Sequence, residues 1–413
     1  MSTPTPTSDM ARYAFAPSTA PYPTIVGAHG CFLHTADGRR ILDGAGGAIV
    51  GNIGWGREEV ADATRDAMAA GGYVVPLWPT PWRLALIERL VERWLPDGFT
   101  NVFFTSGGSE STDSALRLAR AYQLAKGRPD RWKVIGRHPS YHGMTIGTIA
   151  VASHLTRQAG YEPLLMPFPK VPWDDVDELV RRFEEEDPRT IAGFIAEPIT
   201  GAAGACLTAS DEYWRTVTRL CKEHDVLLIV DEVMTGYGRT GTKFGHEHFP
   251  IEPDVLVGGK GLGGGYVPLG AVAARGEVAE VLRDSGFMYF TFTGNDPACA
   301  AALTVLDILE REELVERSRV MGDVLGARLR AALGDHPAVV DIRGRGLFFG
   351  IELTISKDAV VAEALERDLW VYPAGSGPVP SAVMVAPPFV VTDGELDQLV
   401  STLTASIDAV AGT

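Results

Sequence analysis

Lys260 stands alone in "PDVLVGGKGLGGGYVPLGA" (253–271), behind a short apolar run and among glycines. At the end of a buried strand, desolvation disfavours the ammonium form, and the amine becomes a nucleophile near neutral pH. A Walker-type phosphate loop needs Ser or Thr after its lysine, but Gly261 follows Lys260. A GxGxxG dinucleotide loop opens a helix, whereas "YVPLGAVAA" reads as strand. Three other stretches carry chemistry. "SGGSES" (106–111) offers backbone N–H groups and hydroxyls at a strand-to-helix turn, which suits a phosphate; the plainer reading is an N-cap with Ser109 and Glu110 in the first turn. "HPSYHG" (138–143) puts Tyr141 and His142 at a strand end, where the ring either stacks on a planar ligand or simply packs. In "DEVMTGYGRTG" (231–241), Asp231 ends a five-residue apolar run. A carboxylate there needs a partner, either a structural one such as Arg239 or a cationic ligand atom.

These groups call for a scaffold that brings strand ends together. From about residue 100, short apolar runs alternate with helix-like stretches: "NVFFT", "WKVIGR", "TIAGFIAEP", "VLLIV", "PDVLVGG" and "GAVAA". Such runs between helices imply an α/β chain with a mainly parallel sheet covered on both faces, and ligands at the carboxyl ends of its strands. Residues 58–70 and 81–95 have helical apolar spacing, and "GCFLHTADGRRILD" reads as a hairpin. Two long helices, near 297–311 and 313–333, precede a strand region, "AVVDIRGRGLFFGIEL", a further helix, a strand at "AVMVAPPF" and a last helix from about Asp393. The expected division is an N-terminal segment (1–60) joining the small domain, a large domain (61–300) and a small α/β domain (301–413). In chain order, each behind its own apolar strand, a phosphate turn, an aromatic, a carboxylate and a lysine match the needs of one ligand, pyridoxal 5′-phosphate. Its phosphate needs N–H donors, its ring an apolar sandwich, its pyridinium a carboxylate and its aldehyde an amine.

The 413 residues are 46% apolar, enough for a sizeable core. The net charge of −16 argues against nucleic acid or an anionic membrane as partner. No apolar run is long enough to span a bilayer, and "MSTPTPTSDMARY" has neither a basic nor an apolar signal region and reads as a disordered lead-in. Cys31, Cys206, Cys221 and Cys299 are widely spaced and show no metal or redox pattern, which implies free thiols and a reducing, cytoplasmic setting.

Over residues 20–405 the chain resembles the class III aminotransferases, pyridoxal-phosphate enzymes of fold type I. The resemblance is carried by "FFTSGGSESTDSALRLAR", "SYHGMTIGT", "AGFIAEPITGAAG", "LLIVDEVMTGYGRTG", "PDVLVGGKGLGGGYVPLGAVAA" and "TFTGNDPACAAAL". It implies a large domain with a mainly parallel seven-stranded sheet between helices, plus a smaller α/β domain. Lys260 matches the Schiff-base lysine and Asp231 the partner of the pyridine nitrogen. Val233 and Tyr141 match the groups on the two ring faces, with His142 beside Tyr141. Gly108 and Ser109 match the phosphate turn. Phe290 and Thr291 match a pair reaching the phosphate from a neighbouring subunit, which implies a homodimer, or a tetramer built from it. The implied reaction moves an amino group from an amine or ω-amino acid to a keto acid such as pyruvate or 2-oxoglutarate; epimerase, aminomutase and lyase chemistry share the scaffold. A non-catalytic binding protein and a nicotinamide dehydrogenase fit the residues less well.

Departures from the family pattern bear on substrate. Met234 stands where many members have Gln. Met384 and Tyr372 stand where two kinds of member carry an arginine for the substrate carboxylate. Ile49 replaces an aromatic, and Trp55 a histidine. Arg57, Arg83, Arg137 and Arg157 are candidate replacement anchors, with Trp55, Trp78, Trp82 and Tyr141 shaping the pocket.

Overall fold

Seven short aliphatic strands make the central sheet: β1 (Phe99–Thr105), β2 (Lys133–His138), β3 (Lys170–Pro172), β4 (Ile191–Ala196), β5 (Leu227–Asp231), β6 (Val255–Gly258) and β7 (Gly270–Arg275). Their order is β1-β7-β6-β5-β4-β2-β3. All run parallel except β7, which is antiparallel to both neighbours. The computed structural model describes residues 22–283 and 288–412, so the expected lead-in at 1–13 lies outside the described residues.

The strands are apolar throughout because both faces are covered. Along β5, Leu228 and Val230 enter one core with Phe194 and Trp214, while Leu227 and Ile229 enter the other with Leu118 and Val272. This is the period-two alternation of a strand with two buried faces. Helix α1 (Gly108–Ala125) supplies Ala115, Leu118 and Ala119 to one side. Helix α2 (Asp211–His224) supplies Trp214, Val217 and Leu220 to the other. The Ser210 hydroxyl caps α2 by accepting the Tyr213 N–H, and Asp225 ends it in the left-handed conformation.

The C-terminal part holds α3 (Asp296–Arg311), α4 (Leu314–Leu333) and α5 (Asp393–Ala411). Thr392 and Glu395 form a reciprocal capping box at the start of α5. The strand region at 338–353 is a pair, Val339–Gly344 and Phe349–Leu353, within a four-stranded antiparallel sheet. The N-terminal hairpin forms as expected, Phe32–Thr35 with Arg40–Asp43. The latter strand pairs in parallel with Leu369–Trp370, so the two ends of the chain share one core around Phe32, Leu42, Leu369 and Leu399.

The glycine-rich stretch differs in detail from the sequence reading. Lys260–Leu262 form a single 3-10 turn, and the strand begins only at Gly270. Before it, Tyr266 leaves the sheet: its hydroxyl donates to Gly54 O (2.8 Å) and accepts the Arg57 N–H (2.9 Å). Gly265 has φ +85°, and a Cβ there would lie 2.7 Å from the Trp55 ring, so no larger residue fits. All four cysteines are free and buried. Among the described residues, no helix is long and apolar enough to cross a membrane.

Candidate active site

The carboxyl ends of β1, β2, β4, β5 and β6 converge on one cavity of about 150 Å³. Asp231, the last residue of β5, is buried there. Its Oδ2 is 2.7 Å from His142 Nδ1, and its Oδ1 accepts the Val233 N–H at 3.0 Å. These contacts hold the carboxylate in one orientation. His142 comes from the loop after β2, is itself buried, and among the described residues its Nε2 has no hydrogen-bond partner. After β4, Glu197 accepts the backbone N–H of Tyr141 (3.0 Å) and of Gly201 (2.9 Å). Burial pushes the Glu197 pKa up, and the Asp231 charge adds to that.

Lys260 follows β6 with φ +41°, a left-handed conformation rarely adopted by a residue with a side chain. Its side chain lines the cavity, and among the described residues no carboxylate lies within ion-pair distance of its amine. Burial lowers its pKa to about 8; the charges of Asp231 and Glu197 oppose the shift, and Arg157 reinforces it.

The fourth wall is the start of α1. Gly107 occupies the N-cap position and no side chain caps the helix, so the first-turn N–H groups of Gly108 and Ser109 are not taken by a cap at the end where the helix dipole favours an anion. The plainer reading of Ser109 as an N-cap is therefore not the one observed: its hydroxyl accepts the Met144 N–H at 3.1 Å instead. Gly108 packs closely on Val233, and a Cβ on it would lie 2.8 Å from Val233 Cγ1. Tyr141 and Val233 complete the lining with apolar surface. An uncapped helix end, a buried oriented carboxylate, flanking apolar groups and an amine without a counter-ion together fit a phosphorylated pyridine aldehyde. Gly108, Ser109, Tyr141, His142, Val233, Asp231 and Lys260 are thus all brought together. Phe290 and Thr291 are not: Phe290 packs on Phe103 (centroids 6.2 Å apart) outside this cavity, and Thr291 is exposed.

Several sequence expectations need correction. Arg239 is not the partner of Asp231; it donates to the carbonyls of Leu347, Pro387 and Gly51 and stacks on Phe389. Three candidate anchors are committed elsewhere. Arg57 makes a bidentate pair with Glu312. Arg83 serves the carbonyls of Gly294, Pro76 and Trp78. Arg137 is buried on Trp214 and donates to Glu197 O and Trp173 O. Trp55 donates to Asp43, Trp78 is exposed and Trp82 packs on the main core, so of the four pocket aromatics only Tyr141 lines the cavity. Glu197 was missed, although it carries the same signal as Asp231, a carboxylate directly after a buried apolar run. Four of the five unusual positions, Ile49, Met234, Tyr372 and Met384, belong to one apolar cluster with Phe348 and Tyr141. Ile49 holds φ +60° there, a strained value for a β-branched residue.

This fold, with a strand-end lysine and carboxylate facing an uncapped helix, is that of the fold type I transaminases. The class-III aminotransferase family profile matches residues 15–407, and the chain belongs to that family. It is 35% identical to the uncharacterised aminotransferase YhxA of Bacillus subtilis strain 168, over 93% of this chain and 91% of that one. An aminotransferase structure from Bacillus anthracis superposes with a TM-score of 0.91 at 34% identity, covering 96% of each chain. The omega transaminase of Pseudomonas jessenii in complex with PMP superposes with a TM-score of 0.89 at 27% identity, covering 97% of each. The chain is thus an aminotransferase.

Proposed function

We propose that this aminotransferase binds pyridoxal 5′-phosphate in the cavity at the strand ends and transfers an amino group from an amine or ω-amino acid to a keto acid. Bound there, the cofactor supplies an aldehyde that takes up the amino group and a ring that withdraws electrons from the donor carbon. The first-turn N–H groups of Gly108 and Ser109 would hold its phosphate. Tyr141 and Val233 would offer apolar surface to its ring. Asp231, oriented by His142, would face the ring nitrogen. Lys260 would hold the aldehyde and, as a free amine, would move a proton from the donor carbon. The apolar cluster of Ile49, Met234, Tyr372 and Met384 supports donors with an apolar substituent, since neither of the two expected arginine positions carries a cation.

The observation that carries this reading is the placement of the low-pKa Lys260 amine and the oriented Asp231 carboxylate in one cavity. Lys260→Ala is expected to bind the cofactor without covalent attachment and to lose turnover by at least about a thousandfold. Denaturing mass spectrometry after borohydride reduction checks the attachment, and a donor–pyruvate assay checks turnover; a variant that keeps both overturns the assignment.

The same reading makes the enzyme a homodimer. Phe290 and Thr291 lie outside their own subunit's cavity. Leu77 (80% exposed), Trp78 (67%) and Phe292 (58%) leave apolar surface for a second copy to cover. Four buried thiols fit a reducing compartment such as the cytoplasm.

A further inference from the structure

The geometry points to Arg157 as the group that binds the substrate carboxylate, both of the keto acid acceptor and of an ω-amino acid donor. This inference rests on the proposed transamination of keto acids at the Lys260 site. A keto acid brings a carboxylate, yet Met384 and Tyr372 stand where an arginine was expected, and Met234 lines the cavity with apolar surface. Arg57, Arg83, Arg137 and Arg239 are held by acids or carbonyls, as described above. Arg343 is likewise bound to Glu352 (2.7 Å) and to the carbonyl of Ala205 (2.9 Å).

Arg157 differs from all of these. It lies in the helical turn Leu155–Gln158, and its guanidinium carbon is 4.8 Å from the centroid of the Tyr141 ring, which lines the cavity. Among the described residues, the one hydrogen bond of its guanidinium is to Met144 Sδ (3.1 Å), a weak acceptor, and no carboxylate is within ion-pair range of it. Stacking on Tyr141 limits its orientations while leaving N–H donors for a bidentate carboxylate contact. A second cation lies nearby. Lys357 donates to the carbonyls of Gly375 (2.9 Å) and Pro380 (3.4 Å), with the Asp358 charge close by. Both charges act on His154, which lies edge-on to Tyr141 at 6.2 Å. Burial and these two cations lower the His154 pKa to about 4, so its imidazole adds no charge of its own near pH 7. Arg157 thus places beside Tyr141 a positive charge that no described carboxylate pairs with, and Lys357 adds a second one nearby that Asp358 offsets in part. A donor amine without a carboxylate does not use this contact, so one site takes both kinds of substrate.

The test compares the pyridoxamine form of the holoenzyme reacting with pyruvate and with propanal, which lacks the carboxylate. The readout is the ratio of the two kcat/KM values in wild type, Arg157→Met and Arg157→Lys. The expected result is a fall in the ratio of at least tenfold in Arg157→Met, carried by KM for pyruvate, with partial recovery in Arg157→Lys. Acetate, a non-reactive carboxylate, is expected to inhibit wild type more strongly than Arg157→Met. An unchanged ratio in Arg157→Met overturns the assignment of Arg157 while leaving the transaminase reading intact. A wild-type enzyme that converts neither acceptor overturns both.

Discussion

Lys260 and Asp231 are both strand-end charges, but their surroundings act on them differently. Asp231 has two hydrogen-bond contacts to its carboxylate, while the Lys260 amine has burial without a counter-ion. For a lysine, burial removes the charged form, so its pKa falls and the free amine is present above the lowered value. In cofactor-free protein, competitive acetylation of Lys260 is expected to rise with pH through a midpoint near 8, read by mass spectrometry on its peptide. A midpoint at the ordinary lysine value, about 10.4, would show that burial does not act on this amine. At this scale the sequence was legible wherever the backbone alone places a residue. Lys260, Tyr141 and His142 each follow a strand and Asp231 ends one, and strand ends are readable from short apolar runs. Side-chain pairing was not legible. Arg57 meets Glu312 across 255 positions, and Arg239 turns from the nearby Asp231 to carbonyls at 51, 347 and 387. Such choices depend on distant packing, which local pattern does not encode.

The elements position these residues through close backbone approach, which glycines permit. In β2, Gly136 passes under the end of the helix at Ile146–Val151; a Cβ on it would lie 2.1 Å from the carbonyl oxygen of Val151. Backbone cannot yield as a flexible side chain can. Gly136→Ala is expected to destabilise the protein by about 1–3 kcal/mol, seen as a lower thermal midpoint, and to shift the loop that carries Tyr141 and His142. An unchanged midpoint would show that β2 and that helix can part at no cost. Periodicity made the helices at 58–70 and 313–333 readable to within a residue or so, because their buried residues fall on one face, and the long apolar run with its Pro297 start marked the helix at 297–311, whose first two turns are buried all round. It misled at "YVPL". Those apolar residues pack as a loop, Tyr266 against Gly54 and Arg57, and only the following "GAVAAR" enters the sheet. A short apolar run does not reveal whether its backbone pairs with a strand or its side chains fill a gap.

At the scale of the whole molecule, the proposed homodimer would complete the site. Phe290 and Thr291 lie apart from their own cavity, while the neighbouring chain surface at Tyr289 (50% exposed) and Phe292 is apolar and uncovered. The family resemblance implies a pair supplied across an interface, and the proposed homodimer would use Phe290 and Thr291 in that way. If Thr291 serves the phosphate of the other subunit, two different defects complement each other. Thr291→Glu puts a negative charge against the phosphate and is expected to abolish activity, as Lys260→Ala does. In a mixed dimer, the subunit with Lys260 receives Thr291 from its Lys260→Ala partner, so one of the two sites is whole. Denaturing and refolding the two inactive variants together in equal amounts is expected to make about half of the dimers mixed and to recover about a quarter of wild-type activity. Sites confined to single chains would give no recovery, because each subunit would carry its own defect regardless of its neighbour. Each variant refolded alone sets the baseline, and wild type refolded in the same way sets the yield. A recovered fraction near a quarter thus requires both that Thr291 acts across the interface and that Lys260 acts within its own chain.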